Sequence, residues 1–169
     1  YTRPEMGHIW TNENKFAIWQ EIELLACEAQ AKLGRAGITV EDAEWIRGHA
    51  DFTVERIDEI EAVTNHDVIA FLTCMAEYID ADLPEDQEKP SRWVHYGMTS
   101  SDLGDTALSY QVTQALDIII EDVRVIGEIC KKRAFEFQNT LCVGRTHGIH
   151  AEPMTFGMKF GSWAWMLKR

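Results

Sequence analysis

The sequence predicts an all-α protein, with an N-terminal helical domain over residues 1–100 followed over 101–169 by the first, truncated part of a long-helix bundle. Three observations carry this. Apolar residues recur every three or four positions through most of the chain, nowhere do apolar and polar residues alternate long enough for a sheet, and one periodic segment is too long for a small domain to bury.

The first helix starts near Thr11 and puts Phe16, Trp19, Ile22, Leu25, Ala29 and Leu33 on one stripe, a core face that ends where Gly34 and Gly37 interrupt. Thr39 with Asp42 has the form of a capping arrangement ahead of Val40, Ala43, Ile46 and Ala50 at helical spacing. Thr53 opens a short helix through Val54, Ile57 and Ile60. Thr64 or Asn65 caps the next, whose stripe is Val68, Phe71, Leu72, Met75 and Ile79, with His66 and Asp67 in its first turn. Ala81 to Arg92 holds two prolines and mostly polar residues and reads as a solvent loop.

After WVHYGMTSSD, the residues Leu108, Val112, Leu116, Ile119, Val123, Ile126, Cys130 and Ala134 keep helical spacing. A helix from Ser101 to about Gln138 would be about 57 Å long, and it belongs in a bundle shared between subunits. The run VGRTHGIHAEP breaks the pattern and reads as a polar loop, and Pro153 suits the first turn of a last helix that aligns Phe156, Phe160 and Trp163. The chain stops at Trp165-Met-Leu-Lys-Arg169 without a capping signal, so it reads as a fragment of a longer protein.

Composition narrows the function classes. The 169 residues are 46% hydrophobic and 26% charged, which sets disordered and fibrous classes aside. Cys27, Cys74, Cys130 and Cys142 form no CxxC pair, so a reducing compartment fits better than a disulfide framework or a zinc ribbon. No apolar run reaches the roughly 18 residues of a membrane helix, and YTRPEMGHIW lacks the features of a signal peptide, so the reading is a soluble cytoplasmic protein with no membrane partner. A formal net charge of -12 argues against nucleic acid, whose phosphates the summed field repels. The charge is uneven: residues 1–130 carry 9 basic and 26 acidic side chains, and residues 131–169 carry 7 and 2. A small anionic substrate would therefore need locally placed donors.

Those donors cluster in three motifs. His147 sits between Gly144 and Gly148 in a polar stretch that leads an imidazole toward a cleft, as a catalytic group or as a satisfied structural histidine. His150, Cys142 and Glu152 lie near it, but no third ligand has a fixed spacing and no metal site is read. Asn65 and His66 at a helix N-terminus suit a carboxylate, although spacing alone favours a surface or capping role. In GMTSSD, Thr99, Ser100 and Ser101 offer hydroxyls and amides at the start of the long helix just after His95. A plain N-cap needs only one of them.

TNHDV, HYGMTSSD and GRTHGIHAEP in that order, with TRPEM and ENKFAIWQEIELLACEA before them, resemble the adenylosuccinate lyases of the fumarase/aspartase superfamily over essentially the whole chain. The resemblance implies β-elimination of fumarate from adenylosuccinate, and from the succinyl-carboxamide imidazole ribotide of purine biosynthesis. On the same resemblance His147 matches the general acid, and His66 a histidine that contacts the succinyl part and assists it. Thr99 and Ser100 match carboxylate-binding residues, with Asn65 and Asp67 flanking His66 in that pocket. His95 matches a substrate-binding histidine near the phosphate, and Tyr1 the tyrosine of an Arg-Tyr pair whose arginine would precede residue 1. The family's serine-bearing signature loop, which supplies the base, would lie beyond residue 169, so the fragment alone is expected to be inactive.

Family sites combine three subunits of a homotetramer, and no metal or organic cofactor is implied. The nearest alternative is another lyase or cycloisomerase of the superfamily, acting on a different succinyl or carboxymuconate compound. From another class, the alternative is a structural helical oligomerisation module. Its polar loops would lack clustered donors, unlike GMTSSD and GRTHGIHAEP.

Overall fold

The computed structural model describes residues 1–35 and 37–169. Seven helices are found among them: α1 (Pro4–Ile9), α2 (Asn12–Lys32), α3 (Val40–His49), α4 (Val54–Thr64), α5 (Asp67–Ile79), α6 (Ser100–Glu136) and α7 (Phe156–Lys168). A 3-10 turn, Pro90–Trp93, lies in the long connection before α6. The all-α reading holds with one addition, a two-stranded antiparallel hairpin of β1 (Leu141–Thr146) and β2 (Ile149–Thr155) between α6 and α7. The chain forms two compact units, Tyr1–Gln114 and Ala115–Arg169, and α6 runs through both. No helix among the described residues is long and apolar enough to cross a membrane.

Side-chain oxygens start α2, α3 and α4. Thr11 accepts from the Asn14 N–H, Thr53 from the Arg56 N–H, and Thr39 with Asp42 forms a full capping box. The far ends of α1, α3 and α5 receive side-chain amides or an indole from elsewhere. Gln20 donates to the Ala50 carbonyl, Trp45 to that of Ile79, and Asn14 and Gln111 both to that of Ile9. The core packs around stacked rings of Phe16 and Phe71, 5.7 Å apart, with Trp19 and Phe52 edge-on. Ile46, Ile57, Met75 and Ile79 fill it from α3, α4 and α5, and Leu103 and Ala107 from the first turns of α6.

Three readings are corrected here. On α2 the buried residues are Phe16, Trp19, Glu23, Leu24 and Cys27, whereas Leu25, Ala29 and Leu33 are exposed. A carboxylate occupies a face that hydrophobicity alone assigns to leucines. His66, not Thr64 or Asn65, is the N-cap of α5, and Asn65 closes α4 in the left-handed conformation. The run VGRTHGIHAEP is a hairpin, and Pro153 belongs to β2 opposite Val143 rather than to the first turn of α7. Proline is tolerated there because each strand of a two-stranded ribbon is an edge and a bulge sits beside it, where Ala151 and Glu152 oppose the single Gly144.

In the second unit Phe137, Phe156, Phe160 and Trp163 form a run of ring contacts between the end of α6 and α7. Gly157 permits the close approach: a Cβ there would collide with the Ala134 carbonyl oxygen and lie 2.9 Å from the Gln138 backbone. The stripe Leu108, Val112, Leu116, Ile119, Val123 and Ile126 is exposed along α6, whose buried line is Leu103, Ala107, Gln111, Ala115 and Cys130.

Two outcomes follow from this packing. Gly157→Ala is expected to lower unfolding stability by about 1–3 kcal/mol, the usual cost of forcing a methyl into filled space, whereas Gly48→Ala, with nothing within 4 Å of its added Cβ, stays near neutral. Chemical denaturation of both variants checks this, and equal midpoints would contradict the contact. For the thiols, burial first and then the charges of Glu23 and Glu28 push Cys27 up to about 12, and burial raises Cys74. Alkylation at pH 8 followed by mass mapping should modify the half-buried Cys142 and spare Cys27 and Cys74 until denaturant is added. Early labelling of Cys27 would overturn that burial.

Candidate active site

Apart from Tyr1, the residues singled out by sequence fall into three local groups, two in the first unit and one in the second. Asn65, His66 and Asp67 form the junction of α4 and α5. Asn65 turns the chain with φ 51°, which brings His66 into the extended conformation of an N-cap. The His66 Nδ1 accepts the Ile69 N–H at 3.4 Å, so a lone pair is required on Nδ1 and the neutral ring carries its proton on Nε2. Asp67 accepts the N–H of Val68 at 2.8 Å. The His66 side chain remains 42% exposed, so the capping histidine keeps its Nε2 edge available for a ligand. Both readings of His66, cap and ligand group, are thus compatible in one side chain.

The second group runs from His95 to Ser100. His95 and Gly97 take positive φ, 63° and 73°, folding the segment tightly before α6. The Thr99 N–H donates to Asp102 at 2.8 Å and the Asp102 N–H returns a bond to the Thr99 carbonyl. The Asp102 N–H is thus taken by the Thr99 carbonyl, and the hydroxyls of Thr99 and Ser100 make no hydrogen bond among the described residues. They stand beside the Ser100 and Ser101 N–H groups at the start of α6, an arrangement of donors suited to an anionic oxygen.

His95 is held from below by α2. Glu23 is fully buried; one of its oxygens accepts the His95 backbone N–H at 2.7 Å and the other lies 2.6 Å from Nδ1 of the same residue. One and two turns further along that face, the Cys27 thiol donates to the Trp93 carbonyl and the Gln30 amide to the Tyr96 carbonyl. Sequence reading missed Glu23. The available signal is an acidic residue inside an otherwise apolar helical face.

His147 occupies the third group, at the tip of the hairpin. Thr146 pairs with Ile149, so His147 and Gly148 form a two-residue loop, with φ 53° and 75°. Positive φ at both central positions is what a type I′ turn requires. The imidazole is exposed and makes no hydrogen bond among the described residues. Asn65, His95 and His147 are the described non-glycine residues with positive φ, and all three belong to the candidate site. Left-handed backbone costs such residues about 1 kcal/mol or more, a strain that concentrates where a side chain must be aimed.

Among the described residues no hydrogen bond or ion pair joins the Asn65 group to the His95 group. Tyr1 is wholly exposed ahead of α1. No group of three or more His, Cys, Asp or Glu that could hold a metal is present among the described residues. Open grooves of about 550 and 500 Å³ lie elsewhere, the first between α6 and α7 around Gly127 and Trp165, the second between α2 and α6 around Ile18 and Tyr110. None of the candidate residues lines either.

This chain is 48% identical over 169 residues to a Bacillus subtilis protein named adenylosuccinate lyase, and 44% identical to one of that name from Staphylococcus saprophyticus. Each alignment covers 100% of this chain and 37% of the relative, so the chain spans little more than a third of their length. A solved 3-carboxy-cis,cis-muconate lactonizing enzyme from Pseudomonas putida superposes with a TM-score of 0.88 at 26% identity, covering all of this chain and 38% of that one. A fumarate lyase from a Mesorhizobium species, at 23% identity and a TM-score of 0.86, covers all of this chain and 39% of its own and shares the fold. A family model described as lyase matches residues 1–169, and the chain accordingly belongs to the lyase family.

Proposed function

We propose that the full-length protein is an adenylosuccinate lyase that releases fumarate from adenylosuccinate, giving AMP, and from the succinyl-aminoimidazole-carboxamide ribotide of purine biosynthesis. The observation that carries this reading is the close similarity, over every residue of the chain, to proteins of that name, with all three donor motifs inside the matched region.

In the reaction a base takes a proton from the succinyl carbon beside a carboxylate, the C–N bond breaks as the C=C bond of fumarate forms, and the departing nitrogen receives a proton. His147, exposed on a two-residue turn, is the proton donor in this reading. His66 contacts the succinyl part through Nε2, with Asn65 and Asp67 shaping its turn. Thr99 and Ser100 hold a carboxylate with hydroxyls the fold leaves unbonded, and this lowers the cost of charge building up on that carboxylate as the proton leaves. His95 and Tyr1 belong to the nucleotide end. The base is a serine of a loop beyond residue 169, as the family resemblance implies. No metal or cofactor enters these steps.

The working form is proposed to be a cytoplasmic homotetramer whose sites combine segments of three subunits. Support comes from the exposed apolar stripe on α6 and from the candidate residues' lying outside both grooves described above. The acidic net charge fits a small-molecule rather than a nucleic-acid partner.

Fumarate release from adenylosuccinate by the full-length protein tests the assignment directly. His147→Ala should lower turnover by about two to four orders of magnitude, the worth of a positioned acid, with nucleotide binding retained. Near-normal turnover would remove His147 from the role. An unmutated protein inert on adenylosuccinate but active on a related succinyl or carboxymuconate compound would move the chain to a sister lyase or cycloisomerase.

A further inference from the structure

Glu23 has no solvent exposure, yet it spends both oxygens on one residue 72 positions away, at 2.7 Å to the His95 N–H and 2.6 Å to its Nδ1. Anchoring the loop does not by itself demand a carboxylate. Cys27 and Gln30, on the same face of α2, already hold the backbone of Trp93 and Tyr96 with neutral groups. Burying a carboxylate is far costlier than burying a thiol or an amide, so the bond to the imidazole calls for its own explanation.

A carboxylate has acceptor sites only, so Nδ1 carries a hydrogen directed at Glu23, and the ring is held in one tautomer and one orientation. The His95 side chain is 19% exposed, and the edge turned away from Glu23 is Nε2. The positive φ of 63° at His95 is sustained by the same carboxylate through the backbone N–H.

We propose that Glu23 is a positioning residue for substrate binding: it fixes the tautomer and aim of His95 so that Nε2 meets the nucleotide, an inference that rests on the reading of His95 as a substrate-binding residue. Glutamine at position 23 keeps the shape but can accept from the backbone N–H only by turning its NH2 group toward Nδ1. That forces the opposite tautomer and changes what Nε2 offers.

The test is a double-mutant cycle in the full-length protein, with KM and kcat for adenylosuccinate measured separately and thermal melting as a folding control. His95→Ala should raise KM by about tenfold or more, the order of one charge-assisted hydrogen bond. Glu23→Gln should raise KM similarly with a smaller change in kcat, and in the His95→Ala background it should change KM less than about twofold, because its effect passes through the missing ring. Glu23→Asp, which restores a carboxylate, should recover part of the loss and serves as the second variant where Glu23→Gln melts early. Additive losses, or Glu23→Gln with unaltered KM, would overturn the positioning role. A His95→Ala protein with unaltered kinetics would overturn instead the reading of His95 on which the role depends.

Discussion

A buried carboxylate under a strained loop is the constraint on which the rest of the first unit depends. Glu23 sits on the face of α2 that also supplies Phe16, Trp19 and Cys27 to the core, so a helix that builds the apolar cluster also grips the His95 segment. The aromatic stack fixes where α2 lies, and α2 in turn fixes where Trp93, His95 and Tyr96 lie. That segment leads directly into the Thr99–Asp102 cap from which α6 departs. Packing, loop geometry and the start of the longest helix are therefore linked through one charged side chain, and the enthalpy of its two short hydrogen bonds must offset its desolvation.

Much of this architecture could be read before any coordinates. Thr39 with Asp42, Thr53, and the periodic run into α6 each announce an element through local chemistry, and local chemistry is what a sequence states most directly. The Leu25 and Leu33 stripe misled for a tertiary reason: α2 turns toward a polar loop as well as toward a core, and spacing cannot reveal that the inward position is a glutamate whose partner lies 72 residues on. The hairpin was hidden because its strands are short, mostly exposed, and interrupted by a bulge and a proline. No sustained alternation marks them, and Gly148 after His147 was the one turn signal available.

The candidate residues are read from residue type and motif alone. The structure puts His66, His95, Thr99, Ser100 and His147 at helix starts and turns. Their support was not legible. That His66 caps its own helix, that the Asp102 carboxylate accepts the Thr99 N–H, and that Glu23 holds His95 are statements about second partners, and these depend on the three-dimensional path. A shared feature of the site, left-handed backbone at Asn65, His95 and His147, also escapes sequence reading, since asparagine and histidine tolerate that region without advertising it.

The depth of Cys27 has a chemical consequence for a protein proposed to release fumarate. An electron-poor alkene flanked by two carboxylates is an acceptor for thiolate addition, which would leave a permanent succinyl group on the sulfur. Cys27 lies one turn from Glu23 and hydrogen-bonds the segment that carries His95, yet burial and the neighbouring acidic charges hold it in the neutral SH form. A sulfur can thus serve as packing and as a weak donor beneath the His95 segment while remaining unreactive toward an electron-poor alkene.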